Sequence, residues 1–575
     1  MFKLMRYLKP VRLLVILSLV LVMVRALTDL YLPSLTADIV NIGITGGDTG
    51  YILRVSGIML CIAALGGLCA VLNAFFSARA AAGFARILRE KVFTHVASFS
   101  LSEFDRFGTA TLITRTTNDI TQLQMFTMMG IRMMVMAPMM CVGGTIMAVS
   151  KDPVLSLVFV LALPLLFLVI TLIGRKGLPL FRQMQEKLDR LNLIFRERLT
   201  GIRVIRAFNR DHYEQERFRD ANTDYTATAI YVHRMVSVMM PVMMVVMNFT
   251  TIAIVWFGGL RIDLGFMMVG DLMAFIQYGM HIMMSMFALS MLFIMIPRAA
   301  ASADRINEIL ETKPQIADTP APQKATGRKG YVEFRNVTFS YPGAERPAIC
   351  DVSFRAGPGE TTAIIGGTGS GKSTISNLLL RFYDVESGSI LVDGVDIREL
   401  PQAELRAKIG YVPQRSVLFS GTVKSNILFG REDATEAEIR HAADIAQATE
   451  FIEEMPGGFE AEIVQGGMNV SGGQKQRLAI ARALVRKPEI YIFDDSFSAL
   501  DFKTDARLRA ALKKETAEAT VIIVAQRVST VMDADRIVVL ENGKVAGIGT
   551  HRELLQQNEV YREIVLSQLS EEEIA

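Results

Sequence analysis

The run TTAIIGGTGSGKST holds residues whose order suits one kind of chemistry, the cradling of a polyphosphate. Gly366, Gly367, Thr368, Gly369, Ser370, Gly371, Lys372, Ser373 and Thr374 match the pattern G-x-x-x-x-G-K-[ST]. Its glycines let backbone N–H groups wrap phosphate oxygens, Lys372 reaches the terminal phosphates, and Ser373 offers a hydroxyl to Mg2+. Farther along, PEIYIFDD ends in two adjacent carboxylates, Asp494 and Asp495. An Asp at a strand end is commonly only a cap. Paired with the phosphate loop, Asp494 reads instead as holding Mg2+ through water, and Asp495 is left facing whatever the phosphates react with.

A second anion site lies between these motifs. In MNVSGGQKQRLAIARAL, the residues Ser471, Gly472, Gly473 and Gln474 open a basic amphipathic helix, so backbone amides and a helix N-terminus are offered together. One nucleotide needs a single phosphate loop. Two such domains meeting head to tail, each turn closing over the nucleotide held by the other, would use both.

The elements that position these groups follow from pattern. A β-rich apolar run precedes the phosphate loop and the helical pattern ISNLLLRF follows it, an arrangement expected of a domain beginning near Tyr331 and continuing through residue 575. Before it, residues 311 to 330 (ETKPQIADTPAPQKATGRKG) have the composition of a linker. At 575 residues and 51% hydrophobic, with a mean hydropathy of +0.33, the chain exceeds one compact core and is too apolar to be wholly soluble.

The apolar excess sits in residues 1 to 310, which read as a membrane domain. Stretches able to cross about 30 Å of hydrocarbon fall near 11–35, 52–76, 126–149, 154–174, 236–258 and 266–297, giving six spans. Basic residues crowd the segments 79–125 and 176–235, while the opposite loops are short and nearly uncharged, which places those segments and both termini in the cytoplasm. Both segments keep helical periodicity and should extend the spans well out of the membrane. The opening MFKLMRYLKP is basic then apolar without a small-residue cleavage site, as expected of an interfacial helix leading into a retained span.

Other functions are excluded or left without support. A net charge of +3 and the lack of a dense basic block outside the cytoplasmic segments argue against nucleic acid. Four cysteines, three of them in apolar segments, suggest neither a disulfide framework nor a metal cluster.

These motifs together resemble an ABC transporter half of the exporter type, with membrane and nucleotide-binding domains fused, over essentially the whole length. The resemblance implies six long transmembrane helices with cytoplasmic extensions followed by an α/β P-loop ATPase domain of ABC type. It assigns Gln414 in IGYVPQ to the Q-loop and to Mg2+, Asp501 in SALD to the D-loop, and Tyr341 in FSYPG to stacking on adenine. FDRFGTATLITRTTNDI (104–120) and ERLTGIRVIRAFNRDHYEQERF (197–218) resemble loops whose short coupling helices dock on nucleotide domains. ATP and Mg2+ are the implied cofactors, and the bilayer of a bacterial cytoplasmic membrane the implied setting.

The departures from the family pattern are informative. Asp495 stands where Glu is usual and is shorter by a methylene, and Gln526 in VIIVAQRVST stands where a His normally contacts the γ-phosphate. Gln can donate a hydrogen bond but cannot carry charge or relay a proton. Gln465 sits where Glu is frequent, and Val470 where Leu is commoner, yet Ser471 to Gln474 are intact. Drift accounts for either catalytic change alone. Both in one site suggest a subunit that holds ATP at a degenerate site while a second half-transporter, bearing Glu and His, hydrolyses. The expected cargo is hydrophobic or amphipathic, as in multidrug export. An ATP-gated channel, a regulatory subunit, or a homodimer exporting lipid or peptide are the alternatives.

In the membrane half, runs of the 32 methionines offer an adaptable lining but equally fill lipid-facing helices. Polar residues within spans cost more and so say more: Arg25, Asp29, Asn73, Arg132, Asn248 and Gln277 are candidates for a translocation path, although Arg25 and Asp29 at i, i+4 can satisfy each other.

Overall fold

The computed structural model describes residues 2–323 and 328–568, so part of the linker stretch, residues 324–327, lies outside the described residues. The chain divides into two compact units. One comprises Met1–Ala97 with Ala110–Thr312; the other comprises Ser98–Thr109 with Lys313–Ala575.

The first unit is all-helical. Six segments, Lys3–Ile44, Thr49–Ala97, Thr109–Lys151, Leu157–Thr200, Asp211–Asp263 and Val269–Glu311, are long and apolar enough to cross a membrane. At 1.5 Å per residue, the 49- and 53-residue members far exceed the hydrocarbon thickness, and their polar ends account for the extensions. Large apolar side chains such as Leu161, Phe167 and Trp256 stay exposed, as expected of surfaces that meet lipid. The unit's own core gathers Leu30, Phe159, Ile254, Phe275, Tyr278 and Ile282, with Phe159 stacked on Phe275 and the Tyr278 hydroxyl 2.8 Å from Ser34. Where the short loops join the spans, Arg261 pairs with buried Asp152 at 2.7 Å and Lys151 with Asp271 at 2.9 Å.

The second unit is α/β. Its main sheet runs Lys544–Gly549, Arg536–Glu541, Thr361–Gly366, Thr520–Val524, Ile490–Asp494, Ile409–Val412 in spatial order. Only the pairing of Lys544–Gly549 with its neighbour is antiparallel. Nearly continuous apolar runs make the inner strands Arg536–Glu541, Thr361–Gly366, Thr520–Val524 and Ile490–Asp494, since both faces are covered, whereas the edge strand Lys544–Gly549 alternates exposed and half-buried residues. A four-stranded antiparallel sheet, ordered Ile349–Ala356, Val332–Phe339, Ser387–Val392, Val395–Asp396, lies beside it in the chain.

Two pieces of chain from outside the expected domain belong to this unit. Residues 313–323 are tied to it by hydrogen bonds from Arg381 to the Ala317 carbonyl, from Gln402 N to Asp318, and from Gln323 N to the Glu399 carbonyl. The short helix Leu101–Phe107 is capped by Ser100 with Glu103, and Glu103 also accepts from Gln315 N at 3.2 Å. From the same helix, Asp105 accepts the Tyr383 hydroxyl at 2.7 Å. Burial and the adjacent carboxylate push that hydroxyl up, so it remains a donor at any physiological pH. Tyr383→Phe keeps the ring but leaves Asp105 without this donor, and is expected to weaken the docking of the helix by about 2 kcal/mol. Hydrogen exchange of residues 98–109 should then speed up, while nucleotide affinity is unchanged.

Candidate nucleotide site

Parallel strands bring the motifs together. Thr361–Gly366 and Ile490–Asp494 flank Thr520–Val524, with Val524 aligned to both Ile364 and Asp494. Gly366, Asp494 and Gln526 therefore follow three neighbouring strands at their carboxyl ends, and Gln414 follows the fourth, Ile409–Val412. Ligands of open α/β sheets bind at this edge.

The phosphate loop turns from the first strand into the helix Lys372–Leu379. Gly371 caps that helix at φ +93°, where a Cβ would also lie 2.6 Å from the Ala348 carbonyl, so glycine is required twice over. Gly367, Thr368 and Gly369 are exposed at the loop tip. The Lys372 ammonium is folded back onto the Gly366 and Gly367 carbonyls at 2.8 and 2.7 Å. Burial lowers its pKa, with Asp495 and Asp494 opposing. The Ser370 hydroxyl is buried without a hydrogen-bond partner. An unpartnered hydroxyl, a cation held by carbonyls alone and an open N–H tip fit a polyphosphate.

Across from the loop, the Ser373 hydroxyl donates to Asp494 at 3.1 Å. Burial lifts the Asp494 carboxyl to about 6; Asp495 adds to this, whereas the Ser373 hydroxyl and Lys372 work against it. A buried carboxylate beside a hydroxyl and a second acid is a donor set suited to a hard divalent cation. Asp495 itself is half-buried, sits at φ +47°, and accepts from Gln414 Nε2 at 3.3 Å. The structure thus brings Lys372, Ser373, Gln414, Asp494 and Asp495 together. Tyr341 lies close by, its hydroxyl 3.2 Å from Thr374 Oγ1 and its ring edge-on to Phe339 and Tyr383.

Of the remaining motif residues, the Ser471 turn and Asp501 are exposed and bonded to one another's surroundings, while Gln526 stays at the sheet edge two residues past Val524, which pairs with Asp494. Ser471 caps the helix Gly472–Val485 in a reciprocal box with Gln474, at 3.3 Å for Gln474 N to Ser471 Oγ and 2.9 Å for Ser471 N to Gln474 Oε1. Ser471 and Gly472 are exposed. Their neighbours are the 497–501 turn: a Cβ on Gly473 would lie 3.1 Å from the Ala499 carbonyl, a tight contact, and Gln476 accepts from Ala499 N at 3.2 Å. Exposed Asp501 caps the next helix through Thr504 N at 3.0 Å. Gln526 is also exposed, and its backbone is clasped by Gln568, whose amide donates to the Gln526 carbonyl and accepts from Val528 N, both at 2.8 Å. Neither that clasp nor the Tyr383–Asp105 bond carries a local sequence signal.

The comparisons agree with this geometry. Residues 15–286 match the ABC transporter transmembrane region and residues 349–498 match the ABC transporter family. An uncharacterised ABC transporter ATP-binding protein of Mycobacterium tuberculosis is 43% identical over 98% of this chain and 97% of its own length. A Mycobacterium bovis fatty acid ABC transporter ATP-binding/permease protein is 36% identical over 82% of this chain and 75% of its own. The structure of a bacterial Atm1-family ABC exporter with ATP bound superposes with a TM-score of 0.83 at 27% identity, covering 97% of this chain and 99% of that one. With two phosphate-site motifs meeting at one sheet edge behind six candidate spans, the chain belongs to the ABC transporter family, as an exporter with fused membrane and ATP-binding parts.

Proposed function

We propose that this ATP-driven exporter is one half of a heterodimer in a bacterial cytoplasmic membrane, with nucleotide units and termini in the cytoplasm. Its cargo is hydrophobic or amphipathic, and its own ATP site is degenerate. One observation carries the reading: Asp495 and Gln526 occupy the two catalytic positions of one site, while the turn Ser471 to Gln474 that would serve the partner's site is intact. A relative named as a fatty acid transporter supports amphipathic cargo.

In this reading the loop from Gly366 to Thr374 and Lys372 hold the ATP phosphates, and Tyr341 stacks on the base. Ser373, Asp494 and Gln414 would hold Mg2+, which supplies positive charge against the phosphate oxygens. Asp495 polarises water poorly because its carboxylate is a methylene short, and general-base work depends on reach before pKa. Gln526 contributes a hydrogen bond without charge. Ala499 of the 497–501 turn packs on Gly473 and bonds to Gln476, tying the start of the Ser471 helix to this unit's own catalytic strand, with Asp501 as the D-loop residue of that turn. The tip of the cytoplasmic segment 176–235 supports a partner: in the first unit, Leu199, Val204 and Phe208 are 60, 60 and 75% exposed around the short helix Ile202–Ala207.

Uphill transport tests the proposal. Inverted vesicles carrying this chain with a related half bearing Glu and His should accumulate an amphipathic dye against its gradient. Vesicles with this chain alone should not, and cargo that only runs down its gradient would contradict the pump.

The raised Asp494 carboxyl adds a pH prediction. A folded-state pKa above the unfolded value of 3.8 means the folded unit takes up a proton between about pH 4 and 6. Stability from this group is thus fullest at low pH and lost as pH rises through about 6, while a cation needs the ionised form. The Mg2+-dependent part of ATP affinity should fall about fourfold from pH 7.5 to 5.5. Subtracting the same titration in Asp494→Asn removes the nucleotide's own protonation.

A further inference from the structure

The membrane unit holds a group of charges that the nucleotide chemistry does not use. Two cavities of about 320 and 330 Å³ open among the spans, and Arg25, Met133 and Met136 line both, so they are contiguous. The larger is also lined by Asn73 and Arg132, with no carboxylate in its wall. The smaller adds Asp29 and His281 together with Met140 and Met284.

Neutralisation in this group is incomplete. Arg132 donates through Nε to Ser77 Oγ at 2.8 Å and through a terminal nitrogen to the Ala74 carbonyl at 3.0 Å, both uncharged partners. Among the described residues, no carboxylate is within ion-pair distance of it. Arg25 Nε stands 3.6 Å from Asp29, longer than a charge-assisted hydrogen bond, and its side chain is 44% exposed. Asn73 is committed to Ser18, accepting from its hydroxyl at 3.1 Å and donating to its carbonyl at 3.3 Å. Two guanidinium groups thus face one carboxylate.

A purely structural account falls short. Pinning the second span to the third takes two hydrogen bonds, which an uncharged amide could donate. An unpaired guanidinium in the hydrocarbon region costs several kcal/mol unless a water-filled cavity or an anion meets it. The Met-rich wall beside it offers flexible apolar surface of the kind that accepts chains of varied shape.

We propose that these contiguous cavities bind an amphiphile with an acidic headgroup, a carboxylate or a phosphate ester. The headgroup sits in the cavity lined by Arg25 and Arg132, and the apolar chain lies along Met136, Met140 and Met284. Arginine suits either head, because its fork donates two parallel hydrogen bonds to paired oxygens. Asp29 weakens the site and sets its affinity low enough for release. That the bound amphiphile is cargo rests on the exporter reading; that it binds does not.

The test uses the full chain in nanodiscs of zwitterionic lipid, with radiolabelled oleate as probe and empty nanodiscs as background. Saturable oleate binding should appear, and methyl oleate should compete at least tenfold less well than unlabelled oleate. Arg132→Gln and Arg25→Gln should each weaken binding about tenfold, with Arg132→Lys recovering part of the loss. Asp29→Asn should tighten binding severalfold, an outcome that a merely misfolded variant cannot produce. Competition by dioleoyl phosphatidate would extend the site to phosphate-bearing lipids, and its failure would confine the site to carboxylates. Equal competition by methyl oleate, or oleate affinity indifferent to all of these substitutions, would overturn the proposal. Binding as expected without ATP-driven movement of oleate by the assembled pair would count against the bound amphiphile being cargo and leave the site standing. Pumping of other cargo with no headgroup preference would count against this site alone.

Discussion

Ser471→Ala is expected to lower ATP turnover of the assembled pair by about 10²-fold, the scale seen when one preorganised donor to a transition state is removed. Ser471 is exposed at the N-terminus of a 14-residue helix, where its hydroxyl accepts from Gln474 N and keeps its own proton to donate toward another chain's phosphates. Nothing in its local contacts ties it to this chain's own phosphate loop; its neighbours are Gln474 and the 497–501 turn. Its cap is worth only about 1 kcal/mol, too little to unfold the unit. Ser471→Asn preserves a capping side chain and so separates the two roles. If the loss comes from contact with the partner's nucleotide, Asn does not rescue turnover. Steady-state ATPase of the purified pair, with thermal unfolding alongside, checks this.

Lys372→Ala is expected to weaken ATP binding at this chain's own site by about two orders of magnitude, on the scale of a lost hydrogen-bonded charge contact at 2–3 kcal/mol. The ammonium is buried and bonded to the Gly366 and Gly367 carbonyls, so removing it both deletes the charge that phosphates would meet and loosens the loop. In an asymmetric pair the consequence is indirect. Transport falls because the nucleotide units no longer close, and it falls in step with site occupancy rather than with chemistry. Binding of a fluorescent ATP analogue to the pair carrying an inactivated partner site should show the loss, and saturating ATP should restore part of the transport.

Much of this was legible in the residues because each signal was local and periodic. G-x-x-x-x-G-K-[ST] between a β-branched run and a helix leaves few other structures, and spans of twenty or more apolar residues declare themselves by length. The capping box at Ser471 follows from a Ser and a Gln three apart, and the cap at Asp501 from an Asp placed just before a helical pattern. What stayed hidden depends on contacts between distant segments. Residues 313–323 have the composition of a linker, yet Ala317 and Asp318 are bonded to Arg381 and Gln402, because a Pro-rich stretch can lie on a surface as readily as leave it. The Gln568 clasp on residues 526–528 spans about forty residues of chain and uses one uncharged side chain. In the membrane half, polarity pointed to Arg25, Asp29, Asn73 and Arg132, all of which line the cavities, but only the packing shows that Asn73 is already spent on Ser18 while the arginines lack a full complement of charged partners. Asn248 is exposed and Gln277 half-buried, and neither lines those cavities.

Whether the two ATP sites are asymmetric, as proposed, is decided by one comparison in one purified pair. ATP turnover is measured for Asp495→Ala and Ser471→Ala side by side. A site that mainly holds nucleotide predicts that Asp495→Ala retains more than about half of the activity while Ser471→Ala loses nearly all of it. If Asp495→Ala costs as much turnover as Ser471→Ala, both sites hydrolyse and the degenerate reading is wrong.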